Sequence, residues 1–259
     1  SRGSLRVKKP KKILYIFMMQ LFKLYTDIVW QASSEHEVED IVRSFKINKD
    51  RIRVALDLPT LTDKNNYLVA SLEESCSSFL RIIFLSRISP VKNLDFALSV
   101  LAHVKANVQF DVFGPIEDAD YWRGCQLLID NMPKNISIRY CGSVASDLVA
   151  GTFAKYDLFF FPTCGENYGH VIAESLAVGT PVLLSNQTPW RDLKTDRLGW
   201  DLKLEDIEGF KRVIEDLFQM TQDEKCEWRR YIRKKMEDRL ISPEVLEANR
   251  QLFRSVIKM

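Results

Sequence analysis

The stretch FFPTCGENYGHVIAE, residues 160–174, sets Glu166 and Glu174 eight positions apart around Gly169. Two carboxylates at that spacing, with glycines between them, can accept hydrogen bonds from the hydroxyls of a polyol ligand. The segment from His170 has the apolar pattern of a helix. The amides of Tyr168, Gly169 and His170 would then lie at a helix N-terminus, which favours phosphate or another anion. At about 100° per residue, eight residues return to within roughly 80° of the starting direction, so both carboxylates could flank one ligand. The plainer alternative is a loop acid and an exposed helix acid.

Three further segments have the composition of strand exits. In SRISPVKN, Arg87 and Lys92 are five positions apart across a Ser-Pro turn, with Lys92 opening the next helix. Together they could hold one anionic group; taken singly they read as solvated cations. FGPIED and CGSVAS each leave a strand through glycine, Gly114 and Gly142. A missing Cβ there lets a planar ligand approach the backbone. The acids Asp118 and Asp120 have the spacing of a metal-diphosphate motif, but they precede a helix, where acids cap and meet the dipole.

These residues need a frame that gathers strand exits on one side. From residue 79 onward, apolar strands (LRIIFLS, VQFDVFG, ISIRYCG, DLFFFPT, TPVLLS) alternate with amphipathic helices. Near-continuous apolar strands alternating with helices predict a doubly wound parallel α/β sheet covered on both faces. Ligands bind such sheets beyond the carboxyl ends of the strands. Gly179 ends the helix of residues 170–179 as its C′ residue. Residues 59–78 lack an apolar period and read as a linker. Ahead of them, DIVWQASS, EHEVEDIVRSF and RIRVALDLP read as a shorter strand–helix–strand piece, with Ser33 or Ser34 as helix cap and Pro59 ending the second strand. Domain boundaries are therefore expected at 1–58, 59–78, 79–240 and 241–259, the last a C-terminal helix.

Composition narrows the function classes. A net charge of +2 over 259 residues gives no global attraction to nucleic acid. Five widely spaced cysteines and three histidines offer neither a disulfide framework nor a zinc site, and fit a reducing cytoplasm. The basic opening, Arg2 to Lys12, precedes an apolar segment too short to span a bilayer. It can lie on an anionic membrane surface, or it can be a helix packed on neighbouring protein with a solvated basic end.

ENYGHVIAE resembles the E-x7-E element of retaining glycosyltransferase family 4, which has the GT-B fold of two Rossmann-like domains. The similarity extends to FLSRISPVKNLDFAL, to residues 139–193 and to LGWDLKLEDIEGF. The first 58 residues resemble the last part of the family's N-terminal domain. The resemblance implies that Arg87 and Lys92 bind the diphosphate of a nucleotide-sugar donor. It places Gly142, Ser143 and Val144 against the base, and Gly114 and Pro115 near the nucleotide. It assigns Glu174 to the ribose hydroxyls and Glu166 to hydroxyls of the transferred sugar. Asn167, Tyr168, Gly169 and His170 would line sugar and phosphate, mostly through backbone amides. Tyr168 stands where the family usually has Phe.

The resemblance implies sugar transfer to a hydroxyl acceptor, a glycan or lipid-linked glycan, in polysaccharide or glycolipid assembly. Neither a metal nor another cofactor is expected. Arg87, Lys92 and Glu166 are the implied catalytic groups, with no side-chain nucleophile. Most of the N-terminal domain, with its acceptor site, is expected to lie outside this chain or on a separate N-terminal half. A sugar-nucleotide epimerase of the same fold and a non-catalytic donor-binding subunit stay open as alternatives.

Overall fold

The computed structural model describes residues 9–22, 24, 28–33, 35–55, 78–240 and 243–257. The expected linker at 59–78 and the basic residues 1–8 therefore lie almost wholly outside the described residues. Contacts divide the chain into two units. The first comprises Ser1–Leu58, Gly165–Tyr168 and Asp238–Met259; the second comprises Pro59–Cys164 and Gly169–Glu237.

In the first unit, α1 (Lys9–Leu21) is followed by β1 (Trp30–Ala32), α2 (Glu35–Phe45) and β2 (Ile52–Val54). The two strands pair in parallel, Trp30 against Ile52. Val38, Ile41, Val42 and Phe45 recur at helical spacing on α2, and the first two bury against Ala32 and Ile52. The Glu37 carboxylate accepts from both the amide and the hydroxyl of Ser33, which closes the start of α2. Helix α1 exposes Leu14, Phe17, Leu21 and other large apolar side chains. No helix among the described residues is long and apolar enough to cross a membrane. The last helix, α9 (Pro243–Ile257), belongs to this unit.

The second unit is an α/β layer structure. Its strands are β3 (Leu80–Leu85), β4 (Val108–Phe113), β5 (Ile136–Gly142), β6 (Leu158–Phe161), β7 (Val182–Ser185) and β8 (Gly199–Leu202). Between them run α3 (Leu94–Leu101), α4 (Ala119–Asp130), α5 (Val149–Phe153) and α6 (His170–Ala177), followed by α7 (Ile207–Gln219) and α8 (Gln222–Leu240). All neighbours pair in parallel, in the order β5-β4-β3-β6-β7-β8. This is the doubly wound order. The sheet begins in the middle at β3, grows outward through β4 and β5, then returns to β6 on the other side.

Burial explains the apolar strands. Every residue of β6 and β7 is buried, including Phe159, Phe160 and Phe161, because helices cover both faces. Strand β8 escapes the sequence pattern. It is four residues long, contains Gly and Asp, and lies at the sheet edge with three residues only half-buried. One buried charge pins the other wing. Asp111 on β4 is 1 % exposed and accepts from Arg139 (2.9 and 2.6 Å), Tyr156 (2.7 Å) and Gln109 (3.0 Å). Burial alone would raise its pKa, but these hydrogen bonds and the Arg139 charge outweigh it and hold the carboxyl below its ordinary range.

Candidate functional site

The order of strands makes β3 and β6 neighbours whose connections leave in opposite directions. That is a topological switch point, where the loops beyond the two carboxyl ends part to form a crevice. The sequence-predicted cations lie on the loop leaving β3. Pro90–Lys92 forms one turn of 3-10 helix, and Asn93 follows in the left-handed region at φ 61° before α3 begins at Leu94. Lys92 therefore precedes its helix, where the sequence pattern predicts that it opens one. The Ser-Pro turn and the left-handed Asn93 are the reason.

Lys92 is only 9 % exposed, and its ammonium stands 5.3 Å from the centroid of the Phe161 ring at the end of β6. A buried cation over an aromatic face is partly compensated there, and an anion arriving beside it would be held strongly. Three contacts stitch the β3 and β6 exits together. The Cys164 amide and the Thr163 hydroxyl donate to the Val91 carbonyl at 2.8 and 3.0 Å, and the Asn93 side chain donates to Pro162 O at 2.9 Å. Ser185, at the end of β7, donates to the Thr163 carbonyl. The chain thus leaves β6 along a fixed path beside Lys92. No local pattern in the sequence announces these bonds, because each joins residues far apart in the chain.

The exits of β3 and β4 are zipped in the same way. Ser86 N donates to Phe113 O (3.0 Å), Ile88 N to Pro115 O (2.9 Å), and Glu117 N back to Ile88 O (3.1 Å). Gly114, at φ 132°, is essential to this closeness: a Cβ built on it would stand 1.9 Å from the Ser86 carbonyl oxygen. The sequence-based expectation that Gly114 clears space for a ligand is thus corrected. The space is taken by protein backbone. At Gly142 a Cβ would meet no atom within 4 Å, and its φ of 73° favours glycine. Gly142 O accepts from Gly114 N at 2.8 Å, which joins the β5 exit to the β4 exit. Pro115 and Ser143 are exposed and Val144 is half-buried.

Arg87 is exposed and bonded to Glu117 at 2.6 Å. Asp118 caps α4 by accepting from the Tyr121 amide at 3.0 Å, and Asp120 pairs with Arg123. The two acids with diphosphate-metal spacing are thus engaged at a helix start. Among the described residues, no group of three or more His, Cys, Asp or Glu side chains could hold a metal ion.

On the far side of the crevice, Gly169 takes the left-handed conformation at φ 81° and α6 starts at His170. Glu174 is half-buried one turn into the helix. Burial raises its pKa, while the charge of His170 pulls it down less strongly. The count of 100° per residue from Glu166 does not apply, because only residues from His170 onward are helical. Glu166, Asn167 and Tyr168 fall in the segment grouped with the first unit. There Glu166 Oε1 accepts from the Asn167 amide at 3.2 Å, and Tyr168 is buried.

The C-terminal end of α6 is anchored by α8. Gly179, at φ 85°, lies so close to α8 that a Cβ would come within 2.5 Å of Arg229 O. The Arg229 guanidinium, buried enough to lower its pKa, donates to Tyr156 O, to Ala154 O (2.7 Å) and to Thr180 Oγ1 (3.2 Å). Sequence reasoning misses this anchor; RRY inside a charged helix gives no sign that one arginine is interior.

The chain is similar to known proteins in sequence and in fold. The family model for "Glycosyl transferases group 1" matches residues 77–235. A processive diacylglycerol alpha-glucosyltransferase from Acholeplasma laidlawii is 30 % identical over 159 residues, covering 61 % of this chain and 46 % of that protein. The chain thus spans about half the length of the curated relative it matches. Anabaena HepE, solved with UDP and glucose, superimposes with a TM-score of 0.66 at 14 % identity, over 88 % of this chain and 63 % of that one. S. aureus TarM, solved as a mutant with fondaparinux, alpha-GlcNAc-glycerol and UDP, gives 0.63 at 15 % identity, over 86 % and 43 %. At such identities the structures speak for the fold, a GT-B-type doubly wound sheet. With the family model covering most of the second unit, the chain belongs to the group 1 glycosyltransferases.

Proposed function

We propose that the second unit binds a nucleoside-diphosphate sugar, and that the whole protein transfers its sugar to a hydroxyl acceptor with retention at the anomeric carbon. The observation that carries this is Lys92: a nearly buried cation at the switch point, braced by Phe161 and by the stitched β3 and β6 exits. UDP in the HepE and TarM structures supports a nucleotide donor.

In this proposal Arg87 and Lys92 neutralise the diphosphate and stabilise the charge that develops on it as it departs. Glu174 takes the ribose hydroxyls and Glu166 those of the sugar. The open face at Gly142, Ser143 and Val144 admits the base, with Pro115 beside the nucleotide and Gly114 holding the β3 and β4 exits together. Asn167, Tyr168, Gly169 and His170 present backbone amides to sugar and phosphate. The anomeric carbon–phosphate oxygen bond breaks as the acceptor oxygen bonds to the same face. The acceptor proton passes to the departing phosphate, so no side-chain nucleophile is needed and the protein's part is positioning. The charge of Arg87 and Lys92 serves where other transferases place a metal ion. Acceptors in polysaccharide or glycolipid assembly fit the company of the diacylglycerol glucosyltransferase.

Calorimetric titration of the chain with UDP, GDP, ADP and CMP, without and with magnesium, tests the proposal. Saturable binding of one nucleoside diphosphate, lost on Glu174→Ala, is the expected result. Absence of binding to UDP, GDP and ADP would overturn it.

A further inference from the structure

The donor-side cations are unequally placed. Lys92 is held inside the crevice wall, whereas Arg87 is exposed and already engaged by a carboxylate, Glu117, at 2.6 Å. That carboxylate is not on a loose side chain of chance proximity. Its own amide donates to Ile88 O at 3.1 Å, Ile88 N donates to Pro115 O at 2.9 Å, and Ile88 pairs with Ile116 as a parallel bridge. Ile88 is fully buried, and Asp118, the next residue after Glu117, caps α4. The backbones bearing Arg87 and Glu117 are thus fixed against one another from both sides.

We propose that Glu117 sets the affinity of the donor site by competing with the diphosphate for Arg87. The proposal rests on the donor-site assignment above. The pair makes one contact, Nη1 to Oε1, between two side chains that are 59 % and 46 % exposed. Such a pair is weak, because water screens it and two long side chains must be held in place. A diphosphate carries more charge and presents oxygens suited to the planar guanidinium fork, so it displaces the carboxylate. Glu117 is then left as an anion beside the ligand without its Arg87 contact, which weakens binding. The use of such a device is turnover: a less tightly held nucleoside diphosphate leaves faster, and product release limits many enzymes.

Titration of the full chain with UDP, or with whichever of GDP and ADP the wild type binds, tests this. Glu117→Gln keeps the shape and removes the charge. It should tighten nucleoside-diphosphate binding by up to about fivefold, the factor to which an exposed ion pair converts. Binding of the corresponding nucleoside, without phosphates, should not change. In an Arg87→Ala background the gain should fall to less than half, because the contested guanidinium is gone. Wild-type binding with no gain, or a loss, in Glu117→Gln overturns the competition alone; a loss would make Glu117 a positioning residue for Arg87. No binding by the wild type to UDP, GDP or ADP overturns the donor site and the competition together.

Discussion

Gly114 and Ser86 lie in such close contact that the place of the glycine's missing Cβ is taken, at 1.9 Å, by the serine carbonyl oxygen. This contact aligns the exits of β3 and β4 and with them Arg87 and Glu117. Gly114→Ala must push the two loops apart and force alanine into φ 132°. We expect a loss of about 3 kcal/mol of stability, with the mechanism being backbone strain and collision rather than lost burial. Urea denaturation measures it. Unchanged midpoints would mean the loops separate without cost.

Lys92 allows charge to be separated from packing. Lys92→Met keeps the apolar stem that fills the space beside Phe161 and removes the ammonium. Diphosphate binding should fall about tenfold or more, the worth of a charge-assisted hydrogen bond, while nucleoside binding holds. Arg87→Ala should show the same selectivity with a smaller loss, since Arg87 is exposed and shared with Glu117. Equal losses for nucleoside and nucleoside diphosphate would remove both residues from the phosphate site.

Glu174 should give opposite results for stability and for binding. Its folded pKa is raised by burial, so the folded state binds a proton more readily than the unfolded one. The cost of carrying its charge is absent below the ordinary carboxylate range and appears as pH rises through that range to the raised value. Glu174→Gln should therefore be more stable than wild type at pH 7 and equal to it near pH 4, by thermal melts at both. Nucleotide binding should weaken, because the amide is a poorer acceptor for ribose hydroxyls. A variant that loses stability at pH 7 would make Glu174 a structural residue.

Asp111 has the reverse sign. Its folded pKa is lowered, so its contribution is complete above the ordinary carboxylate range and is lost as pH falls toward the lowered value. Asp111→Ala leaves Tyr156 and Arg139 without their acceptor and should cost about 2–4 kcal/mol at pH 7. The deficit should shrink near pH 3. Chemical denaturation at the two pH values reads it, and a deficit independent of pH would point to packing.

The periodic elements are legible in the sequence. Strands of continuous Val, Ile, Leu and Phe must be covered on both faces, and Gly179 marks the end of α6 by a conformation only glycine takes easily. The ENYGHVIAE element carries the family. Strand β8 is not legible, because an edge strand of four residues lacks the apolar run that an interior strand needs. The helical count from Glu166 to Glu174 fails for a related reason: a residue count holds a direction only where the backbone is helical.

What the sequence determined by itself is local, since burial on one face or both leaves a period in the chain. Adjacency leaves none. That β6 returns beside β3, that Lys92 then meets Phe161, and that Arg87 meets Glu117 thirty residues on, follow from the strand order and the packing of loops. The same holds for Gly114, whose missing side chain serves a carbonyl from another strand. Only the tertiary structure decides which distant groups share one space, because the energy that joins them is gained when the sheet assembles.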